Sequence, residues 1–165
     1  MLKEQLTALT QQLAKHLLNI NERLAVAESC TGGLISSACT DLPGSSQWFE
    51  CAYICYSNQA KMNMLGVNEQ TLTEHGAVSE YTVLEMVKAC QSQSSVFASI
   101  AVSGIAGPDG GSAEKPVGTV CIAWAIGTKS YSITKHYDAP KNRQQIRYLT
   151  AIDALSGVLK YSSMK

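Results

Sequence analysis

No stretch of this chain carries the clustered Lys and Arg that a phosphate backbone demands, which argues against nucleic acid as a partner. Charge is scarce altogether: 13 basic residues balance 13 acidic ones, and charged residues make up 16% of the sequence against 45% hydrophobic. That balance describes a globular chain rather than a disordered one. No apolar run approaches the roughly 20 residues of a membrane span. The start, Met1-Leu2-Lys3-Glu4-Gln5, is polar and opens a helix rather than a signal segment, so a cytoplasmic location without membrane attachment is expected. C-x-x-C pairs are missing, and the six cysteines and three scattered histidines show no zinc spacing, so no metal is expected. Most of those cysteines read as small buried hydrophobes. Internal repeats, low-complexity tracts and long linkers are also lacking, and residues 1–165 read as one domain.

What is present alternates between helix and strand. Leu6, Leu9, Leu13, Leu17 and Leu18 recur with helical period over Leu2–Ile20. Leu24–Ala27 reads as a short buried strand, Leu34–Thr40 as a helix, and the aromatic run Trp48–Tyr56 as a second strand. A short helix over Asn58–Met64 ends near Gly66, and Ser79 caps a helix running to Cys90. Val96–Val102 is a buried strand, Thr119–Ile126 and Lys129–Tyr137 flank a Gly127-Thr128 hairpin turn, and a helix over Asn142–Tyr161 closes the chain. The pattern predicts an α/β fold: a three-layer α/β/α sandwich around a mixed, mostly parallel sheet with a late antiparallel hairpin.

Three strand ends deliver polar or glycine-rich material, the place where open α/β sheets bind ligands. After the first strand, Ala27-Glu28-Ser29-Cys30-Thr31-Gly32-Gly33 sets a hydroxyl at a strand-to-helix turn, beside backbone N–H groups and a helix start. That suits a nucleophile next to an oxyanion hole, and equally a Ser or Thr cap eased by glycine. Cys30 is a rival thiol whose pKa a helix start would lower. After the second strand, Tyr56-Ser57-Asn58-Gln59-Ala60-Lys61 offers a base. Lys61 lies one helical turn beyond the strand and can project back toward it, in a Ser–Lys arrangement of the kind that burial activates. The competing reading is a solvated helix lysine. His16, His75 and His136 are poorly placed for the task, His75 falling in a loop before Gly76.

The third end, Ser103-Gly104-Ile105-Ala106-Gly107-Pro108-Asp109-Gly110-Gly111-Ser112, lets backbone N–H groups approach an anion, or is a surface loop leaving through Lys115-Pro116. Its glycines fit neither the nucleoside-triphosphate loop nor the dinucleotide fingerprint. Arg143 and, one turn later, Arg147 share a face of the last helix, where an arginine holds a phosphate, polarises a carbonyl, or stays partly solvated.

Taken together, these segments resemble the C-terminal domain of the CinA competence/damage-inducible protein family, especially its stand-alone nicotinamide-nucleotide amidohydrolases. The likeness is carried, in order along nearly the whole chain, by Ala27–Gly33, Pro43-Gly44-Ser45-Ser46, Tyr56-Ser57-Asn58, Lys61, Gly66-Val67, His75–Ser79, Ser103–Pro108 and Lys115–Thr119. The resemblance implies hydrolysis of the carboxamide of nicotinamide mononucleotide to nicotinate mononucleotide and ammonia, in pyridine-nucleotide salvage, without metal or cofactor. It implies Ser29 as nucleophile in preference to Cys30, Lys61 as its base and Tyr56 as a polar assistant. It further implies that Cys30, Thr31, Gly32 and Gly33, together with Ser103, Gly104 and Ile105, line the amide and oxyanion site, with Arg143 adding positive charge. A small-molecule substrate and a homo-oligomer are the expected partners. One departure stands out. The family commonly has Gly-Asp before the late arginine, and here Pro140-Lys141-Asn142 precedes Arg143, removing a carboxylate that orients it. The alternative this motivates is a paralogue that binds pyridine nucleotides with little or no turnover.

Overall fold

The computed structural model describes residues 1–138 and 142–164. Its elements are α1 (Leu2–Asn19), β1 (Leu24–Glu28), α2 (Leu34–Thr40), β2 (Phe49–Ile54), α3 (Asn58–Leu65), α4 (Glu69–His75), α5 (Glu80–Ser94), β3 (Ala98–Gly104), β4 (Thr119–Ile126), β5 (Lys129–His136) and α6 (Arg143–Ser162). Among the described residues no helix is long and apolar enough to cross a membrane.

The five strands form one sheet in the order β2-β1-β3-β4-β5. β1 pairs in parallel with β2 and β3, while β4 is antiparallel to both β3 and β5. Four of the five strands therefore point the same way, yet the pairings divide evenly, because β4 runs backwards between β3 and β5. Leaving β1, the chain crosses through α2 to β2 on one side. It then returns through α3, α4 and α5 to β3 on the other side of β1. Crossovers of one hand in opposite directions must lie on opposite sheet faces, and this produces the three layers.

Alternation along the strands gives the two faces different characters. Leu24, Val26, Ile100, Val102, Ile122, Trp124 and Ile126 face α1, α2 and α6. Ala25, Ala27, Ala101, Cys121, Ala123 and Ala125 face α5 with α3 and α4. The second face is built of small side chains, so α5 lies close to the sheet, where Ser99 Oγ donates to Val87 O at 2.9 Å.

On the first face, α6 approaches through Gly157. A Cβ at that position would overlap the buried Trp124 indole, whose Nε1 donates to Ala154 O at 2.7 Å. Gly157→Ala is therefore expected to destabilise the protein although alanine is the better helix former. Overpacking costs about 1–3 kcal/mol, against about 1 kcal/mol of helix propensity recovered. Thermal denaturation should show a melting temperature lower by several degrees; an unchanged or raised value would mean the indole moves aside freely.

Several boundaries differ from the sequence expectation. β2 is shorter than Trp48–Tyr56, β3 starts at Ala98 and includes Ser103 and Gly104, and α5 runs on to Ser94. His75 ends a helix, α4, rather than sitting in a loop. Asn68 caps that helix by accepting from Gln70 N–H, and Leu72 is its single buried residue, too weak a periodicity to register in the sequence.

Candidate active site

β1 and β2 are neighbours whose following helices leave on opposite faces, α2 on one and α3 on the other. Such a switch point opens a crevice at the carboxyl ends of the strands. Ser29 stands at the end of β1 and Lys61 on the first turns of α3, so the topology aims both into it. A cavity of about 230 Å³ is lined there by Ser29, Cys30, Tyr56, Asn58, Lys61, Ala77, Val78, Ser103, Gly104, Ala106 and Arg143.

Lys61 is 1% exposed and Ser29 7%. The Lys61 Nζ lies 3.0 Å from Ser29 Oγ, 3.1 Å from Cys55 O and 3.3 Å from Tyr56 O. Two of these partners are carbonyls, which only accept; the third is a hydroxyl, which also donates. An ammonium can donate to all three oxygens, and a neutral amine keeps two N–H donors for the carbonyls and one lone pair for the Ser29 proton. Burial drives Lys61 toward that form, lowering its pKa from the ordinary 10.5. The helix is positioned to deliver it: Ser57 accepts from Ala60 N–H at the start of α3, and Gly66 ends it with a positive φ of 64°.

The Ser29 turn is organised by a residue to which the sequence reading gives no role. Glu28 is fully buried, and its carboxylate accepts from Thr31 Oγ1 at 2.7 Å and from the amides of Gly33, Ile35 and Ser36 at 2.9, 3.1 and 2.8 Å. It thereby occupies the start of α2, which the sequence reading leaves open beside the nucleophile. The amides of Cys30 and Thr31 stand outside this network, and that of Ser29 donates to Val102 O. The signal was available: Glu28 is the one charged residue in the apolar strand Leu24–Glu28, directly ahead of a helix start.

The same occupation removes the argument for a reactive Cys30. Burial, with the nearby Glu28 charge adding to it, pushes its thiol up to about 12, so the helix start does not lower it.

Arg143 reaches the cavity from the first turn of α6. It donates to Gly107 O at 2.8 Å and to the Tyr56 hydroxyl at 3.0 Å, fixing a tyrosine that is 61% exposed. Asn142 caps α6 by accepting from Gln145 N–H in a capping box. The departure at this position thus falls on a helix cap, where Asn and Asp serve alike. Arg143 is oriented instead by Gly107 and Tyr56; Pro140 and Lys141 lie outside the described residues.

Of the residues expected in the site, Ser29, Cys30, Tyr56, Lys61, Ser103, Gly104 and Arg143 share the cavity wall. Thr31, Gly32, Gly33 and Ile105 are not part of it. Thr31 is buried, with its hydroxyl on Glu28 and its carbonyl accepting from Arg147 at 2.6 Å. Gly32 and Gly33 carry positive φ angles of 55° and 93°, a conformation glycine adopts freely, and so turn the chain into α2. Ile105 exchanges backbone hydrogen bonds with Thr119 and Gly118 at the root of the glycine-rich loop.

The chain as a whole is similar to known proteins. The model of the CinA C-terminal domain matches residues 6–162. The nicotinamide-nucleotide amidohydrolase PncC of Pseudomonas putida is 46% identical over 155 residues, covering 94% of this chain and 96% of that protein. Its namesake in Escherichia coli strain K12 is 43% identical over 147 residues, 89% of this chain and 88% of that one. Among solved structures, the competence/damage inducible protein CihA from Agrobacterium tumefaciens superposes with a TM-score of 0.92 at 38% identity, covering 94% of each chain.

Proposed function

Because this chain belongs to the CinA C-terminal domain family, we propose that it is a nicotinamide-nucleotide amidohydrolase working through Ser29 and Lys61. It converts nicotinamide mononucleotide and water to nicotinate mononucleotide and ammonia. The observation that carries the reading is the buried 3.0 Å contact between Lys61 Nζ and Ser29 Oγ at the crevice between β1 and β2. Relatives named for this activity, matching nearly end to end, support the substrate.

In the proposed mechanism, neutral Lys61 takes the hydroxyl proton as Ser29 Oγ bonds to the carboxamide carbon. The carbonyl π electrons move to oxygen, giving a tetrahedral oxyanion. Donors lining the same cavity, the Ser103 and Tyr56 hydroxyls among them, stabilise its charge. The Lys61 ammonium then gives its proton to the departing nitrogen, ammonia leaves, and an ester to Ser29 remains. Lys61, neutral again, takes a proton from water. The resulting hydroxide attacks the ester carbon, and Ser29 leaves with the returned proton, releasing the carboxylate.

Arg143 holds Tyr56 at the cavity mouth and adds positive charge there. The same family likeness carries a homo-oligomer acting on a small molecule in pyridine-nucleotide salvage, without metal or cofactor, and a cytoplasmic location remains part of the proposal.

The test is ammonia release from nicotinamide mononucleotide by the purified chain in chelator-treated buffer. One nicotinate mononucleotide per ammonia is the expected result. Calorimetric binding of the mononucleotide with no product after prolonged incubation would leave only the binding-protein reading.

A further inference from the structure

Resting on that reading, we infer that Lys115 holds the 5′-phosphate of the mononucleotide in a second cavity beside the catalytic one. The catalytic cavity, at about 230 Å³, is smaller than the roughly 300–1,000 Å³ usual for small-molecule sites. A larger cavity of about 640 Å³ meets it at Val78, which lines both. Both are lined by residues at the same end of the sheet. β1 and β3 end there, β4 begins there at Thr119, and β5 finishes there at His136.

Cations in the walls of the two cavities, among the described residues, are Lys61, Arg143 and Lys115. Lys61 is engaged with Ser29 and two carbonyls, and Arg143 with Gly107 O and Tyr56. Arg147 bonds Thr31 O and lines neither cavity. Lys115 is different. Its Nζ donates to His75 O at 2.7 Å, which leaves two further protons for a ligand. That one bond fixes the ammonium against the His75–Gly76 backbone, next to the Ala77 and Val78 that wall the catalytic cavity.

The rest of the larger cavity adds to Lys115. Ser79, the N-cap of the 15-residue helix α5, and Glu80 and Tyr81 of its first turn form part of its wall, so the positive end of the helix dipole faces it. His136, with Nδ1 3.3 Å from Thr119 Oγ1, stands on the opposite side. Two carboxylates oppose an anion. Glu80 accepts from Ser132 and Thr134 hydroxyls at 2.6 and 2.9 Å, which turns its oxygens toward β5 and leaves its charge in place. Glu114 sits on the exposed part of the glycine-rich loop. The inferred placement sets the carboxamide at Ser29, the ribose across the shared Val78 and the phosphate at Lys115. In this inference the glycine-rich loop, for which the sequence leaves anion approach and a surface loop as alternatives, contributes the Lys115 side chain.

Nicotinamide riboside, which has the same carboxamide and no phosphate, separates the two cavities. The experiment measures kcat/KM for the mononucleotide and the riboside with wild type, Lys115→Met and Lys115→Arg. Wild type is expected to prefer the mononucleotide, and Lys115→Met to lose about tenfold to a hundredfold of that preference, as one charged hydrogen-bonding partner commands. Lys115→Arg should keep most of it. An unchanged preference in Lys115→Met overturns the inference. So does a loss that falls equally on the riboside, since that marks a disturbed wall at His75, or a wild type indifferent to the phosphate. Calorimetry of both ligands on wild type and Lys115→Met keeps the two proposals apart. If neither compound is hydrolysed, the amidase reading fails, while tighter mononucleotide binding that disappears in Lys115→Met still supports the phosphate site, and equal binding overturns it.

Discussion

Ser29→Ala is expected to lower ammonia release from nicotinamide mononucleotide by roughly 10³-fold or more, the scale seen when a hydrolase loses its nucleophile. The fall should appear in kcat, with binding of the mononucleotide retained. Removing one oxygen leaves Lys61 bonded to Cys55 O and Tyr56 O, and Glu28 still locks the turn through Thr31, Gly33, Ile35 and Ser36. Steady-state rates for the two proteins decide the matter, with calorimetry confirming that the variant binds. A variant within tenfold of wild type would exclude Ser29 from bond making. Cys30 is no substitute nucleophile, since burial pushes its thiol up to about 12.

Lys61→Met should cost about 10²–10⁴-fold, the usual weight of a positioned general base. Methionine keeps much of the volume and removes the amine, so the loss is chemical rather than a cavity effect. The pH profile adds an independent reading. The base works when neutral, so wild-type activity should climb as Lys61 loses its proton, along a limb centred below the ordinary 10.5. That limb should be missing from the residual activity of Lys61→Met; its persistence there would assign it to another group.

Stability follows the same linkage. Burial lowers the folded pKa, so between that lowered value and 10.5 the unfolded chain binds more protons than the folded one. The contribution of Lys61 to stability therefore rises with pH across this window, and at lower pH its buried charge weakens the fold. Urea midpoints of wild type and Lys61→Met measured against pH isolate this contribution as a difference that shifts in favour of wild type as pH rises, since the buried thiols, Cys30 among them, pull both proteins the other way.

Much of the architecture is legible in local pattern. Leucine spacing marks α1, buried apolar runs mark β3 and β4, Ser79 announces α5, and Gly127-Thr128 closes the hairpin. These are properties of adjacent residues, and the physics that produces them is local too: side-chain period, capping and turn conformation. Helix α4 escapes notice because its one buried residue, Leu72, gives no period to read. The even split of strand pairings is invisible for another reason. It depends on β4 entering between β3 and β5, a choice made by packing across the sheet.

The site divides along the same line. A serine at a strand-to-helix turn and a lysine one turn past a strand are written in the chain, but each has an ordinary structural explanation until the two meet. They lie 32 residues apart, and only β1 beside β2, with α2 and α3 on opposite faces, brings them within a hydrogen bond. The same assembly withdraws the amine from water and shifts its proton affinity, which no spacing encodes. Glu28 shows the converse. Sequence places a carboxylate at the end of an apolar strand, and the folded turn decides that it binds the start of α2. The sequence by itself determined which chemical groups stand at the strand ends. Tertiary structure decided which of them share a cavity and in which direction burial shifts their proton affinity, because burial and proximity are properties of segments brought together from far along the chain.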